Sequence, residues 1–333
     1  MSSNYRIAVV GATGAVGLEI LRVLEHRKFP VSSLKLLASP RSAGKPLKFR
    51  GEEIAVEALH VDSFENINLA FFSAGSGISK EYVPLAVNAG AIVVDNSSAF
   101  RMNANVPLVV PAVNGPDALT HKGIIANPNC TTAITLMALA PLHKAFGVRK
   151  IFASTYQAVS GAGARAIEEL RIQTKRVSGG HDAEPEVFPH QIAFNVIPQV
   201  DSFGENSYTR EEMKMQNEGR RILHLPNFRA SVTCVRVPVY RAHSIAVSAE
   251  FERPVDVSAA REAIAAFPGV QVLDNPDSSI YPMPLDAAGK DDCFVGRIRI
   301  DCAMDNGLAF WVSGDQLLRG AALNAVEIAE LLL

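Results

Sequence analysis

Few cysteines, no long apolar run and no excess of one charge mark this 333-residue chain, and each shortfall removes a class of function. The four cysteines, Cys130, Cys234, Cys293 and Cys302, lack C-x-x-C spacing, which argues against a zinc site or a redox pair. No metal is expected. So small a number in so long a chain suits a reducing, cytoplasmic location. Lys and Arg total 32 against 34 Asp and Glu, a formal net charge of -2, so no bulk positive field argues for nucleic acid or an anionic membrane. The longest apolar run, Ala133 to Leu142, carries Pro141 and is too short to span a bilayer. Gly11 cuts the first apolar stretch short, so it does not read as a signal sequence. There is no repeat and no low-complexity segment. The 48% of hydrophobic residues suffices for a large core and, at this length, for two domains.

The first half alternates strand-like and helix-like segments. Arg6–Val10, Leu34–Ala38, Leu69–Ser73, Ile92–Asp95 and Leu108–Val110 read as strands, with helical spacing after Gly17 and across Tyr82–Asn88. Strands joined by helices imply a parallel, doubly wound α/β sheet. In the second half Ile151–Tyr156, Ser231–Val237, Ser244–Phe251, Phe294–Asp301 and Leu308–Val312 read as longer strands. Ala164–Arg176, Thr209–Leu223 and Ser258–Ala266 read as helices, which together predict an α+β domain with a mostly antiparallel sheet. Gln316–Leu333 reads as an amphipathic helix, and residues 178–203 have weak periodicity and no assignable element.

Gly11, Gly14 and Gly17 follow the first strand and open a helix, the context a dinucleotide loop requires. Thr13, Ala15 and Val16 belong to the same turn. Glycines permit the tight turn and close approach of backbone to pyrophosphate, and the helix N-terminus favours the anion. NAD sites carry an acid about 20 residues on, to bind the ribose 2′-hydroxyl. No Asp or Glu lies between Glu25 and Glu52; the second strand runs instead into Ser39-Pro40-Arg41-Ser42 and then Lys45. An arginine and hydroxyls suit a 2′-phosphate, so NADP is the expected cofactor. A second turn, Ser160-Gly161-Ala162-Gly163, could present amides to the nicotinamide end or be an ordinary strand-to-helix connection.

Cys130 lies in Asn127-Pro128-Asn129-Cys130-Thr131-Thr132, between a Pro-Asn turn and an apolar helical run. A sulfur at a helix N-terminus meets unpaired N–H groups and the positive end of the helix dipole, which favour the thiolate. A thiolate attacks carbonyl carbon, and with a nicotinamide site in the same chain it suggests a thioester-forming aldehyde dehydrogenase. A buried, inert thiol is the plain alternative.

Taken with Asp95-Asn96-Ser97-Ser98-Ala99-Phe100-Arg101, Ser154–Gly161, Arg241-Ala242-His243-Ser244 and Gly314–Ala322, these motifs resemble bacterial aspartate-β-semialdehyde dehydrogenase along essentially the whole chain. The resemblance implies reversible conversion of β-aspartyl phosphate and NADPH into aspartate semialdehyde, inorganic phosphate and NADP, in the pathway to lysine, threonine and methionine. It implies a homodimer, with an N-terminal Rossmann-type NADP-binding domain (1–129 and 315–333) and a catalytic and dimerisation domain (130–314). Cys130 matches the nucleophile and His243 the base, whose ordinary pKa near 6.5 suits proton exchange. Asn129 and Gln157 match orienting amides. Arg236 matches the α-carboxylate ligand, Glu211 the amine ligand, Lys214 and Arg101 the phosphate ligands, and Gln316 a nicotinamide contact. Glu211 and Lys214 would share a helix face, which also describes a solvated ion pair. Arg236 and His243 would lie on opposite faces of one straight strand, but Pro238 interrupts it. Three alternatives stand at this stage: a reductase of a related acyl phosphate or thioester, such as N-acetyl-γ-glutamyl-phosphate reductase, which typically has Pro-Gly-Cys-Tyr at the nucleophile; a non-catalytic paralogue; and a nucleotide-binding regulator.

Overall fold

Tyr5–Val10 (β1) is buried throughout Ile7–Val10, as a central strand covered on both faces must be. In the computed structural model, which describes residues 5–333, it sits in the middle of a seven-stranded sheet. The chain continues through α1 (Ala15–His26), β2 (Val31–Ala38), β3 (Pro46–Phe49), β4 (Glu52–Ala58), β5 (Leu69–Phe72), α2 (Ser76–Asn88), β6 (Ile92–Asp95), α3 (Pro111–Asn114) and β7 (Ile124–Ala126). The strand order is β3-β4-β2-β1-β5-β6-β7, parallel at every pairing except β3 with β4. The order reverses across β1, so the glycine loop that follows it opens at the switch point where such sheets bind ligands. Ala8, Val10, Leu37, Phe72, Val83 and Val93 share one core cluster of this unit.

Cys130–Phe146 (α4) begins a second unit, with β8 (Val148–Gln157), α5 (Ala164–Ser178), α6 (Arg210–Ile222), β9 (Arg229–Arg236), β10 (His243–Phe251), α7 (Val257–Ala265), β11 (Val270–Val272), α8 (Pro284–Ala287), β12 (Cys293–Ile300) and β13 (Gly307–Gly314). Its sheet runs β11-β12-β13-β10-β8-β9. Pairing is antiparallel for β12/β13, β13/β10 and β10/β8, and parallel for β11/β12 and β8/β9. A π-helical turn, Leu318–Ala322, leads into α9 (Leu323–Glu330). The compact units are divided after Asn129 and after Gly320: Cys130–Gly320 form one, and Ala321–Leu333 go with the first.

Two expectations, for Leu108–Val110 and for Gln316–Leu333, need correction. Leu108–Val110 is not a strand; Leu108 makes only an isolated bridge to Ala126, and the edge strand is β7. Pro107 and Pro111 flank the segment, and the Asn114 side chain takes the Val110 N–H and donates to the Leu108 carbonyl, so those groups leave the ladder. The β3–β4 hairpin was not foreseen. Its turn puts Arg50 (φ 51) and Gly51 (φ 83) in the left-handed region without the Asn-Gly or Asp-Gly pair that usually signals it. Residues 178–203 form no helix or long strand but are ordered through side chains of α5. Gln173 Oε1 accepts the Ile192 and Ala193 N–H groups, and Glu169 Oε2 accepts that of Val187. Finally, Gln316–Leu333 is not one continuous amphipathic helix. It is interrupted by the π turn, and Leu317, Leu318, Leu323, Val326 and Ile328 are buried together with the polar Gln316, Arg319 and Asn324.

Candidate active site

Helix α4 starts at Cys130 because Pro128 cannot lie inside a helix and the apolar run that follows can. No acidic residue lies in its first turn, so nothing there opposes a negative sulfur. Cys130 is half-buried, with its Sγ 3.9 Å from Thr131 Oγ1. The π turn lies close against it: a Cβ on Gly320 would come within 2.6 Å of Cys130 Cβ.

The sheet of the second unit gathers the other residues at one end. Gln157 closes β8 in register with Arg236, which closes β9, and His243 opens β10 opposite Gly314. Arg236 and His243 therefore lie on two strands flanking β8, and the opposite-face expectation for a single strand does not apply. Gln157 is buried; Thr155 Oγ1 donates to its Oε1 (3.0 Å), which turns its Nε2 toward Glu211 Oε1 (3.2 Å). Glu211 Oε2 in turn accepts from Lys214 Nζ (2.8 Å), which also reaches Asp201 Oδ2 (3.1 Å). A capping box between Thr209 and Glu212 starts α6 and sets its register, so Glu211 faces inward. With side chains 7% and 23% exposed, Glu211 and Lys214 are not a solvated pair. Burial works to lower the Lys214 pKa, but Glu211 and Asp201 outweigh it and the pKa is raised.

Arg236 is buried, donates from Nη1 to the Ala158 carbonyl (2.6 Å) and stacks over Phe188. Burial lowers its pKa, while Glu211 and Cys130 act to sustain its charge. The Arg236 guanidinium thus acts on a thiol at a helix start, a setting that favours thiolate. Cys234 is the contrast: burial, with Glu211 nearby, pushes its pKa far up and leaves it inert.

His243 is fully buried. Its Nδ1 accepts the Ala158 N–H at 3.0 Å, and its Nε2 has no hydrogen-bond partner among the described residues. Burial first, and Arg236 second, lower its pKa to about 3, against weaker opposition from Glu211 and the Ala242 main chain. The neutral imidazole is favoured because its cation would be desolvated beside an arginine.

Gln316 is also buried, and both ends of its amide are engaged. Oε1 accepts the Ala242 N–H (2.8 Å) and Nε2 donates to Ser160 Oγ. The Ser160 and Gly161 amides, expected to face a cofactor, donate instead to the Tyr240 and Ala158 carbonyls. These three residues shape the turns around His243. Thr155, Ala158 and Gly320 lie within motifs but were assigned no role, and Asp201 lies in none; Ala158 and Asp201 matter through His243, Arg236 and Lys214, which are distant in sequence.

In the first unit the glycine loop has the form of a nucleotide cradle. Gly11 has φ 84, and a Cβ there would strike the Ser73 carbonyl oxygen. Helix α1 starts at Ala15 and Val16 after Gly14, with no side-chain cap and no acid in its first turn, so its N–H groups are available to an anion. Thr13 Oγ1 reaches Ser42 Oγ (3.5 Å), which joins this loop to the one carrying exposed Arg41. Arg101 is buried and bound to the Asn127 and Asn96 carbonyls (both 2.8 Å), and Asn129 is buried. Among the described residues no helix is long and apolar enough to cross a membrane, and no group of three or more His, Cys, Asp or Glu could hold a metal.

A glycine loop that opens a helix in one unit, and in the other a thiol at a helix start near the Arg236 guanidinium, suit a semialdehyde dehydrogenase. Residues 6–121 match the family model described as semialdehyde dehydrogenase, NAD binding domain, and residues 139–319 the one described as semialdehyde dehydrogenase, dimerisation domain. The chain is 51% identical to aspartate-semialdehyde dehydrogenase of Aquifex aeolicus, covering 99% of this chain and 98% of that one. It is 49% identical to the Bacillus subtilis enzyme of the same name, with the same coverage. The crystal structure of aspartate semialdehyde dehydrogenase II from Vibrio cholerae, complexed with ASA, superposes with a TM-score of 0.96 at 43% identity over 99% of this chain and 98% of that one. The chain belongs to the aspartate-semialdehyde dehydrogenase family, enzymes that use a nicotinamide cofactor.

Proposed function

We propose that this protein catalyses the reversible, NADP-dependent conversion of L-4-aspartyl phosphate into L-aspartate 4-semialdehyde and inorganic phosphate through an acyl-thioester on Cys130. The reading rests on the collection, inside one unit, of a thiol at a helix start, buried Arg236, the Glu211–Lys214 pair and neutral His243. In the oxidative direction the Cys130 thiolate adds to the aldehyde carbon. Arg236, the one of these cations held fully inside, suits the α-carboxylate, which a guanidinium grips bidentately. Glu211 suits the free amine, and a carboxylate there discriminates against an acetylated nitrogen, which cannot carry a charge. Lys214, more exposed and held by two carboxylates, suits phosphate, which then cleaves the thioester; Arg101 is a second phosphate ligand on the strength of the resemblance. Gln157 orients the substrate from its fixed amide. Bound NADP takes or supplies the hydride.

The assembly is a homodimer in this reading. Helix α4 packs against one face of the six-stranded sheet. The other face leaves Phe152 half-exposed, with Tyr156 against Trp311, a surface that a second copy would cover.

The deciding experiment compares NADP reduction with aspartate semialdehyde plus phosphate and with N-acetylglutamate semialdehyde plus phosphate. The first is expected to be the substrate; preference for the second replaces this reading with the acetylated-substrate one. Cofactor choice is tested separately. The Gly11 cradle and the uncapped α1 accept the pyrophosphate of either dinucleotide, whereas Arg41 and Ser42 have no equivalent partner in NAD. Arg41→Ala is expected to weaken NADP about tenfold, at the lower end for a hydrogen bond to a charged group because the site is exposed, and to leave NAD unchanged. Equal loss for both cofactors would remove Arg41 from 2′-phosphate recognition.

A further inference from the structure

We propose that Phe188 is a positioning residue for the reaction: its ring fixes the plane of the Arg236 guanidinium, so that the arginine meets the substrate α-carboxylate edge-on with two parallel N–H donors. The proposal rests on the reading of Arg236 as the α-carboxylate ligand.

The main chain of Arg236 is pinned at the end of β9. Its N–H donates to the Ile197 carbonyl (2.8 Å), and the Ile197 N–H donates back to the Arg236 carbonyl (2.9 Å). The side chain is held less completely. Nη1 donates to the Ala158 carbonyl (2.6 Å), and among the described residues no other hydrogen bond or ion pair engages the guanidinium. One hydrogen bond does not fix the plane of this group. A carboxylate gripped bidentately requires that plane, since both N–H donors must point at both oxygens together. A guanidinium ordered only on binding would cost affinity.

The Phe188 ring supplies the second constraint. Arg236 Cζ lies 5.7 Å from its centroid, within the reach of a cation on an aromatic face. The contact also acts on charge. Burial opposes the Arg236 cation, and the negative face of the ring offsets part of that cost. The guanidinium is thus held by a carbonyl at one nitrogen and a ring against one face, and its remaining N–H groups are unpaired.

Phe188 is half-buried in a segment without regular structure, so its own place has to be set by side chains. Helix α5 provides them. Glu169 Oε2 accepts the N–H of Val187, just before the ring, and Gln173 Oε1 accepts those of Ile192 (2.8 Å) and Ala193 (3.1 Å) after it. Glu169 and Gln173 are buried and joined to each other, Gln173 Nε2 donating to Glu169 Oε1 (3.0 Å). The ring packs on a cluster that includes Val159, Leu170, Ile192 and Ile197. Val159 follows Ala158, and Ile197 pairs with Arg236. The support behind the ring is therefore continuous with both other holds on the arginine.

The test is steady-state oxidation of aspartate semialdehyde by the full-length enzyme and its Phe188 variants, with phosphate and NADP varied in turn. Phe188→Leu keeps an apolar side chain and removes the aromatic face. It is expected to raise KM for the semialdehyde about tenfold, the order of a desolvated cation–π contact, with kcat and the KM values for phosphate and NADP within about twofold of wild type. Phe188→Tyr restores the face and is expected to stay within about twofold of wild type throughout. In an Arg236→Leu background, Phe188→Leu is expected to add less than about twofold, because a residue that acts through the arginine has nothing left to position. An unchanged KM in Phe188→Leu, an equal defect in Phe188→Tyr, an equal rise for phosphate and NADP, or an undiminished further loss on top of Arg236→Leu overturns the proposal. Should Phe188→Leu not fold, Phe188→Met, which fills the space without an aromatic face, is read in its place. Preference of the wild type for N-acetylglutamate semialdehyde refutes the proposed function alone; that substrate also carries an α-carboxylate, and the same series read with it decides the role of Phe188. Oxidation of neither substrate overturns both.

Discussion

Cys130→Ala is expected to lower turnover by at least about 10³-fold while leaving NADP affinity unchanged, because without the sulfur no acyl-enzyme can form. The nucleotide loop belongs to the other compact unit, so binding of cofactor does not depend on the thiol. Alkylation gives an independent reading. Cys234 and Cys293 are buried, and burial holds the Cys234 thiol protonated, so both are expected to resist iodoacetamide. Cys130 is expected to react faster than exposed Cys302, since Arg236 and the α4 N-terminus favour its thiolate. Residual turnover above a few per cent in purified Cys130→Ala would remove Cys130 from the mechanism.

The second large effect is at His243. Truncation to alanine removes the only described side chain whose buried, unpartnered nitrogen borders Gly161, and is expected to lower kcat about 10²- to 10³-fold with a smaller change in KM. A large rise in KM at constant kcat would make it a binding residue instead. Its stability signature follows from linkage. The folded pKa of about 3 lies below the ordinary value of 6.5, so between them the unfolded chain binds the additional proton. The stability contribution of a neutral His243 is therefore complete above 6.5 and is lost as pH falls toward 3, at up to about 1.4 kcal/mol per pH unit. Denaturant titrations of wild type and His243→Ala across this window are expected to differ in slope by an appreciable part of that amount. Parallel curves would show that the folded enzyme accommodates the imidazolium.

Much of the chemistry was legible before any coordinates because it is local. A strand, a glycine turn and a helix follow one another within Tyr5–His26, so a phosphate cradle can be read from neighbours in sequence. The same holds for a thiol placed by Pro128 at the start of an apolar helix. Alternation along Val148–Gln157 and His243–Phe251 likewise declares strands, because one face of that sheet is covered and the other is not. Charge and length excluded partners without any reference to shape.

What the sequence left open depends on groups distant along the chain. Leu108–Val110 has a strand's composition, but whether it joins a ladder depended on the Asn114 side chain and two prolines. Residues 178–203 have no period because their backbone is satisfied by Gln173 and Glu169 on α5, not by a regular element. Arg236 and His243 meet at the end of β8 only because strand order places β9 and β10 on either side of it. Residue type gives only the ordinary pKa of His243, since the shift is set by burial and neighbouring charge, both properties of the packed state. Sequence by itself determined which reactive groups this enzyme has; tertiary structure decided which of them face one another and in what charge state, because register, burial and the path of Ala158 exist only once the sheet has formed.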